Sequence, residues 1–163
     1  MLGIGIGILA ALMVVGGALW IKPSRREQKL AVWRRDAIVA GMQVRLKGMD
    51  AEPKNTGIRE DVLGVSYILH NMDLHKKPQQ EWAVVQAEGW YNDDLPAGWA
   101  WYGHKPDSES YRQHIASLLE QSPYPLVGLE RTMNFVRFVW KENGDTFDAA
   151  VLKQYLAGLQ VSA

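Results

Sequence analysis

The chain opens with a long, uninterrupted apolar run. Residues 2–21 read LGIGIGILAALMVVGGALWI and contain no charged side chain. A helix of that length spans roughly 30 Å, which matches the hydrocarbon core of a bilayer. The pattern therefore predicts a transmembrane helix over residues 1–21. A cleavable signal peptide is the alternative, but its positive charge would precede the apolar run rather than follow it.

A basic helical pattern follows the apolar run. Ser24 and Glu27 have the spacing of a capping box, and Gly41 is a typical C-terminal stop. These signals predict a juxtamembrane helix over residues 22–41. Its side chains either contact lipid headgroups or a partner, or serve only to orient the span. The basic residues concerned are Lys22, Arg25, Arg26, Lys29, Arg34 and Arg35.

The remaining chain alternates between strand and helix patterns. Period-two alternation and β-branched or aromatic runs predict strands over residues 42–46, 62–69, 81–88, 99–103, 126–130 and 133–141. Helical spacing predicts helices over residues 108–121 and 146–159. Residues 47–60 hold glycine, proline and asparagine and are predicted to form a loop.

Three finer expectations concern burial and the faces of strands. Leu63 is predicted to share one strand face with Val65, Tyr67 and Leu69, and Val151 to lie on the buried face of the last helix. The strand pattern over residues 133–141 is apolar on both faces, which predicts a central position in the sheet.

The order of these elements indicates the fold class. From residue 82 onward it is strand, strand, helix, strand, strand, helix, which favours an antiparallel sheet with helices packed on one face. The prediction is therefore an α+β domain over residues 42–163. Because the basic cluster follows the apolar run, the positive-inside rule places the N-terminus outside and this domain in the cytoplasm.

Composition and charge exclude several kinds of chemistry. The chain carries 18 basic and 18 acidic residues, so the basic cluster near the start leaves the rest acidic overall. An acidic domain is repelled by phosphate backbones, which argues against a nucleic-acid partner. The absence of cysteine excludes disulfides, thiolate nucleophiles and cysteine-ligated metals.

Small residues recur within the predicted span. Gly3, Gly7 and Ala11 are four positions apart. This spacing allows a second membrane helix to approach closely, although glycine and alanine are also frequent in membrane helices generally. The pattern predicts that the partners are integral membrane protein subunits.

Candidate catalytic chemistry is sparse. His70, Asp73 and His75 form the densest set of potential zinc ligands, but they fall in a polar stretch where surface histidines are the simpler interpretation. Asp93 and Asp94 are adjacent in a turn sequence, where aspartate commonly bonds to the backbone. No nucleophile elbow, phosphate-binding loop or dinucleotide fingerprint is present. We therefore predict no cofactor, no metal and no catalytic site.

Aromatic residues are concentrated in one short segment. Such density is typical of a docking surface for a protein or small ligand, or of a hairpin that uses aromatic side chains as its own core. The residues are Trp90, Tyr91, Trp99, Trp101 and Tyr102.

Residues 19–46, LWIKPSRREQKLAVWRRDAIVAGMQVRL, resemble the start of the YajC family, the small accessory subunits of the bacterial preprotein translocase. The shared features are an apolar anchor, a proline, a basic helix and a Gly-x-x-Val strand. The resemblance implies a bacterial inner membrane and an accessory role.

The sequence supports three functional hypotheses. The first is a non-catalytic accessory or assembly subunit of a larger inner-membrane complex. The second is a membrane-tethered sensor whose ligand pocket lies near Trp90, Trp99 and Trp101. The third is an enzyme that uses His70, Asp73 or His104, and it is disfavoured because no catalytic motif is present.

Overall fold

The protein is described by a computed structural model over residues 23–71 and 80–161. The predicted transmembrane helix over residues 1–21 lies outside these described ranges. Within the ranges, no helix combines the length and the apolar character that crossing a membrane requires. The chain divides into two compact units between Val32 and Trp33, within its first described helix, and the sheet described below belongs to the second unit.

The described ranges contain three helices and six strands. In chain order these are α1 (Arg25–Val39), β1 (Gln43–Arg45), β2 (Val65–His70), β3 (Trp82–Val85), β4 (Ala100–Trp101), α2 (Glu109–Glu120), β5 (Leu126–Arg131), β6 (Phe135–Trp140) and α3 (Ala149–Val161). Each predicted strand and helix of residues 22–159 has its counterpart here.

Helix α1 begins and ends at the predicted signals. The backbone N–H of Ser24 donates to the Glu27 carboxylate at 2.6 Å, and the N–H of Glu27 donates to Ser24 Oγ at 3.2 Å. These two bonds form the capping box. At the other end Gly41 adopts φ +92°, a conformation that favours glycine, and terminates the helix.

The strands form one antiparallel sheet in the order β1-β2-β6-β5-β3-β4. The α+β class and the antiparallel sheet are thus confirmed, and β6 lies centrally between β2 and β5 as predicted. One row of directly opposed residues crosses all six strands, and it consists of Val44, Tyr67, Phe138, Leu129, Val84 and Trp101. Side chains in this row point to one side of the sheet, here called the helix face.

Aromatic packing fills the helix face. The Trp140 ring on β6 stacks on Trp33 of α1, with centroids 5.6 Å apart, and on Tyr124 at 5.0 Å. Phe138 meets Tyr155 of α3 edge-on at 6.1 Å. Helices α2 and α3 are also joined, since the Tyr155 hydroxyl donates to the carbonyl of Leu118 at 2.7 Å. These contacts bring α1 and α3 onto the same face.

The opposite side of the sheet, here called the loop face, is covered by the connection between β1 and β2. Met49, Ile58 and Val62 are buried there in one apolar cluster with Val85 and Val139 of the sheet. Antiparallel bridges of Met49 with Val62 and of Glu52 with Ile58 hold the connection in place. The predicted loop over residues 47–60 is therefore part of the core.

The start of β2 and the burial of Val151 differ from the predictions. Leu63 is 73% exposed because β2 begins only at Val65, which leaves Leu63 outside the alternation of the strand. Val151 is 44% exposed because the buried side of α3 is the one that carries Leu152, Leu156 and Leu159.

Candidate functional site

The aromatic segment is divided between core and surface. Trp101 of β4 lies opposite Val84 of β3 and is only 1% exposed. Its indole N–H donates to the carbonyl of Asp93 at 3.0 Å, which satisfies its polar atom. Trp101 therefore serves the core, the second of the two interpretations of this segment.

Trp99 and Tyr102 are half-buried and lie in different surroundings. Tyr102 packs against the apolar cluster of the loop face, and burial raises the pKa of its hydroxyl. Trp99 lines a cleft of about 490 Å³ together with Leu119, Tyr124 and Leu126. Neither ring is presented openly to solvent.

Trp90 and Tyr91 form the exposed part of the segment, at 64% and 48% exposure. The backbone N–H of Trp90 donates to the backbone carbonyl of Thr56 at 2.8 Å. A Cβ atom placed on Gly57 would overlap the Trp90 indole, so the ring lies directly on this glycine. Lys105 Nζ lies 5.9 Å from the centre of the Tyr91 ring. The Trp90 indole is thus exposed on one side and packed against Gly57 on the other.

Trp90 stands at the rim of a cleft of about 730 Å³, here called the Trp90 cleft. Its walls are residues 57–63 and 86–90, and Leu63 adds a second exposed apolar side chain at the rim. Gln86, Val127 and Lys141 line both the Trp90 cleft and the cleft of about 490 Å³ beside Trp99, so the two clefts adjoin. An exposed, fixed aromatic beside a long depression is typical of a binding surface.

Ion pairs brace the turn that follows Tyr91. Lys105 Nζ lies 2.6 Å from the Asp93 carboxylate, and Arg112 Nε lies 2.7 Å from that of Asp94. The hydrogen bond from Lys105 lowers the pKa of Asp93. Asp94 adopts φ +62°, which aspartate tolerates better than most residues. The two carboxylates thus hold the turn to Lys105 and to Arg112 of α2.

A buried acidic group was not anticipated from the sequence. Glu142, two residues after the end of β6, is 3% exposed and accepts a hydrogen bond from the Tyr67 hydroxyl at 2.6 Å. Arg34 of α1 donates to both of its carboxylate oxygens, with Nε at 2.9 Å from Oε1. Burial together with the bond to Glu142 raises the pKa of Tyr67, and the same carboxylate raises the pKa of Arg34. Arg34, predicted to contact lipid or a partner, is thus an internal ion-pair partner.

The other basic residues of α1 are exposed. Arg25, Arg26, Lys29 and Arg35 all lie at the surface of the helix. Lys22 lies outside the described residues, and so do the predicted helix-packing residues Gly3, Gly7 and Ala11.

Of the three candidate metal ligands, only His70 lies within the described residues. His70 ends β2 at the surface, with Nε2 3.2 Å from the side-chain oxygen of Gln43. His104 lines a separate cleft of about 290 Å³ beside Glu81 and Asp107. Asp73 and His75 lie outside the described residues. Among the residues that are described, no group of three or more histidines and carboxylates could hold a metal ion.

Glu130 and Arg137 form a half-buried ion pair that the sequence pattern does not reveal. They lie opposite each other on β5 and β6, with side chains on the loop face and Arg137 Nε 3.0 Å from Glu130 Oε2. Burial raises the pKa of Glu130, Arg137 opposes this effect, and the charge of Glu81 adds to it.

This raised pKa predicts a pH dependence of stability. The folded protein binds the Glu130 proton more tightly than the unfolded chain, so its contribution to stability is full in acid and is lost as pH rises through the folded-state pKa. We expect the free energy of unfolding of the parent protein, minus that of Glu130→Gln, to fall as the pH rises above about 4.3, the ordinary pKa of a glutamate. Urea unfolding at a series of pH values measures this difference. Glu120→Gln, an exposed position on α2, is the matched control, and a slope of the same size there would contradict the assignment.

Comparison with known proteins gives no relative for this arrangement. No protein-family model, no curated protein and no solved structure matches the chain. The resemblance of residues 19–46 to the YajC family therefore stays a prediction.

Proposed function

We propose that this chain is a non-catalytic accessory or assembly subunit of a bacterial inner-membrane complex, anchored by its N-terminal segment and docking a protein partner at the Trp90 cleft. The observation that carries the proposal is the Trp90 indole, 64% exposed yet fixed on Gly57 at the rim of a cleft of about 730 Å³. A large aromatic side chain that is already ordered loses little conformational entropy when a partner covers it. Partners with aliphatic side chains can contact both Trp90 and Leu63.

The anchoring part of the proposal depends on the sequence. An apolar run of membrane-spanning length precedes the basic residues of α1, and small residues in that run suit contact with the membrane helices of other subunits. Only a few residues separate the apolar run from α1, so the domain stays close to the bilayer, where the partner complex lies.

Trp90→Ala tests the docking surface. We expect it to weaken retention of the partner subunits by at least about 30-fold, because truncation of a central aromatic anchor commonly costs 2 kcal/mol or more of binding free energy. The measurement is purification of the tagged full-length protein in mild detergent, followed by native-gel sizing and mass spectrometry of the retained subunits.

Met133→Ala is the matched control for this experiment. Met133 is 51% exposed on the hairpin between β5 and β6. Its substitution therefore also removes an exposed apolar side chain, but away from the Trp90 cleft. Equal retention of partners by the parent protein and both variants would refute docking at Trp90. A parent protein that purifies alone would refute the accessory role itself.

A second function, that of a membrane-tethered ligand sensor, is favoured by one observation. The volume of the Trp90 cleft falls in the range of small-molecule sites. A metabolite that changes tryptophan fluorescence in the parent protein and not in Trp90→Phe would support this function. A lone protein without such a ligand would count against both functions.

A further inference from the structure

One side of helix α1 faces away from the fold and carries aliphatic side chains. Val39 is 82% exposed, Ile38 58% and Val32 43%. On the opposite side of the helix Trp33 and Ala37 are buried. The described fold leaves these aliphatic side chains in water, so they do not stabilise it. Only a surface outside the described protein could cover them.

The start of α1 allows it to lie at an angle to whatever precedes it. Ser24 caps the helix through the reciprocal bonds with Glu27, and Pro23 stands just before the cap. The capping box satisfies backbone N–H groups of the first turn, which is where a helix begins. In general, the residue before a proline disfavours the helical conformation. The chain can therefore change direction at residues 23–24 between the apolar run and α1.

We infer that α1 lies along the anionic headgroup layer of the membrane, with Val32, Ile38 and Val39 turned toward the acyl chains. Arg25, Arg26 and Arg35 are exposed on the same helix and complement anionic lipid headgroups. This inference rests on the membrane anchor of the proposed function. Three aliphatic side chains bind a bilayer weakly by themselves, but a tether only a few residues away makes the binding intramolecular.

The same placement fixes which side of the sheet meets the membrane. Trp33 packs on Trp140, so the inner side of α1 is joined to the helix face of the sheet. The Trp90 cleft includes Ile58 and Val62 of the loop face. With α1 on the bilayer, the helix face is turned toward lipid and the cleft is left open to a partner from the aqueous side.

A single fluorescent probe tests this inference in the full-length protein. The chain has no cysteine, so Val39→Cys provides one labelling site for an environment-sensitive fluorophore. The labelled protein is reconstituted into phosphatidylcholine vesicles with or without phosphatidylglycerol, and spin-labelled lipid serves as the quencher. We expect strong quenching in the anionic vesicles. If α1 instead stood upright, Val39 would lie roughly 20 Å further from the bilayer than Arg25 and would escape quenching.

Matched variants separate lipid contact from general proximity. Lys54→Cys places the probe on the connection that covers the loop face, and its fluorescence should be unaffected by the quencher. In the Val39→Cys protein, Arg35→Gln should lower the ratio of quenched to unquenched probe roughly fivefold, because one charge near an anionic surface is lost. Lys54→Gln should leave that ratio unchanged.

Two results would overturn the inference. One is a Val39 probe that stays unquenched in anionic vesicles, and the other is quenching of equal strength without anionic lipid. Flotation of the vesicles shows independently whether the protein is anchored, and the Trp90 experiment reads partner retention. Failure of this inference is therefore distinguishable from failure of the proposed function.

Discussion

Glu142→Ala is expected to lower the free energy of unfolding by about 3 kcal/mol, the lower end of the cost of breaking a buried ion pair by removing one partner. The Glu142 side chain is 2% exposed, and its loss leaves both the Arg34 guanidinium and the Tyr67 hydroxyl without their acceptor. The Arg34 side chain is 29% exposed, so water can partly replace the carboxylate, which keeps the cost from being larger. Chemical denaturation followed by tryptophan fluorescence measures the change.

A double-mutant cycle shows whether the pair itself is responsible. In an Arg34→Ala background, Glu142→Ala should cost roughly 0.5 to 3 kcal/mol less than in the parent protein, the usual coupling for residues in one network. Glu142→Gln is the conservative control, because it keeps an acceptor for Tyr67 and removes only the charge. A cost for Glu142→Ala within about 0.5 kcal/mol of zero, typical of an exposed substitution, would show that the carboxylate is not buried as described.

The alternation of apolar residues was enough to locate the strands, and the reason is visible in the sheet. Phe138 and Val139 are both fully buried because the two faces of β6 are covered by different layers. A central strand of this kind reads as apolar on both faces, which is why its position could be predicted. The capping box and Gly41 gave the limits of α1 for an equally local reason, since each signal acts within one helical turn.

Local signals fail where a contact joins distant parts of the chain. Arg34 belongs to a run of basic residues, and nothing in that run distinguishes it from Arg35. The difference arises from Glu142, which lies 108 residues further along the chain. In the same way Met49 and Ile58 are too widely spaced to show a period, and they enter the core only because two bridges fold their connection onto the sheet.

The aromatic segment shows the same limit at the candidate site. Sequence density marked residues 90–102 as important without showing which rings point outward. That depends on pairing of β4 with β3, which turns Trp101 into the core and leaves Trp90 outside the strand. The sequence pattern places Leu63, a rim residue of the Trp90 cleft, within a strand, whereas the strand begins at Val65.

The contrast between two tryptophans yields the prediction with the largest expected effect. Trp140 is fully buried and stacks with Trp33, Tyr124 and Phe147, with centroids at 5.6, 5.0 and 5.8 Å. Trp140→Ala should lower the free energy of unfolding by about 4 kcal/mol, because a buried tryptophan loses its transfer free energy and leaves a cavity that the sheet cannot close. Urea denaturation measures this loss, with unfolding of α1 followed in parallel by hydrogen exchange.

Trp90→Ala is the matched control, because the same atoms are removed at an exposed position. Its effect on stability should stay within about 0.5 kcal/mol, as for other surface substitutions, while Trp140→Ala should leave the domain marginal. Hydrogen exchange of α1 should also quicken in Trp140→Ala alone, since Trp33 then loses its partner on the sheet. Similar losses of stability at the two positions would mean that the aromatic stack is not the core that joins α1 to the sheet, and the placement of α1 against the membrane would then lose its structural basis.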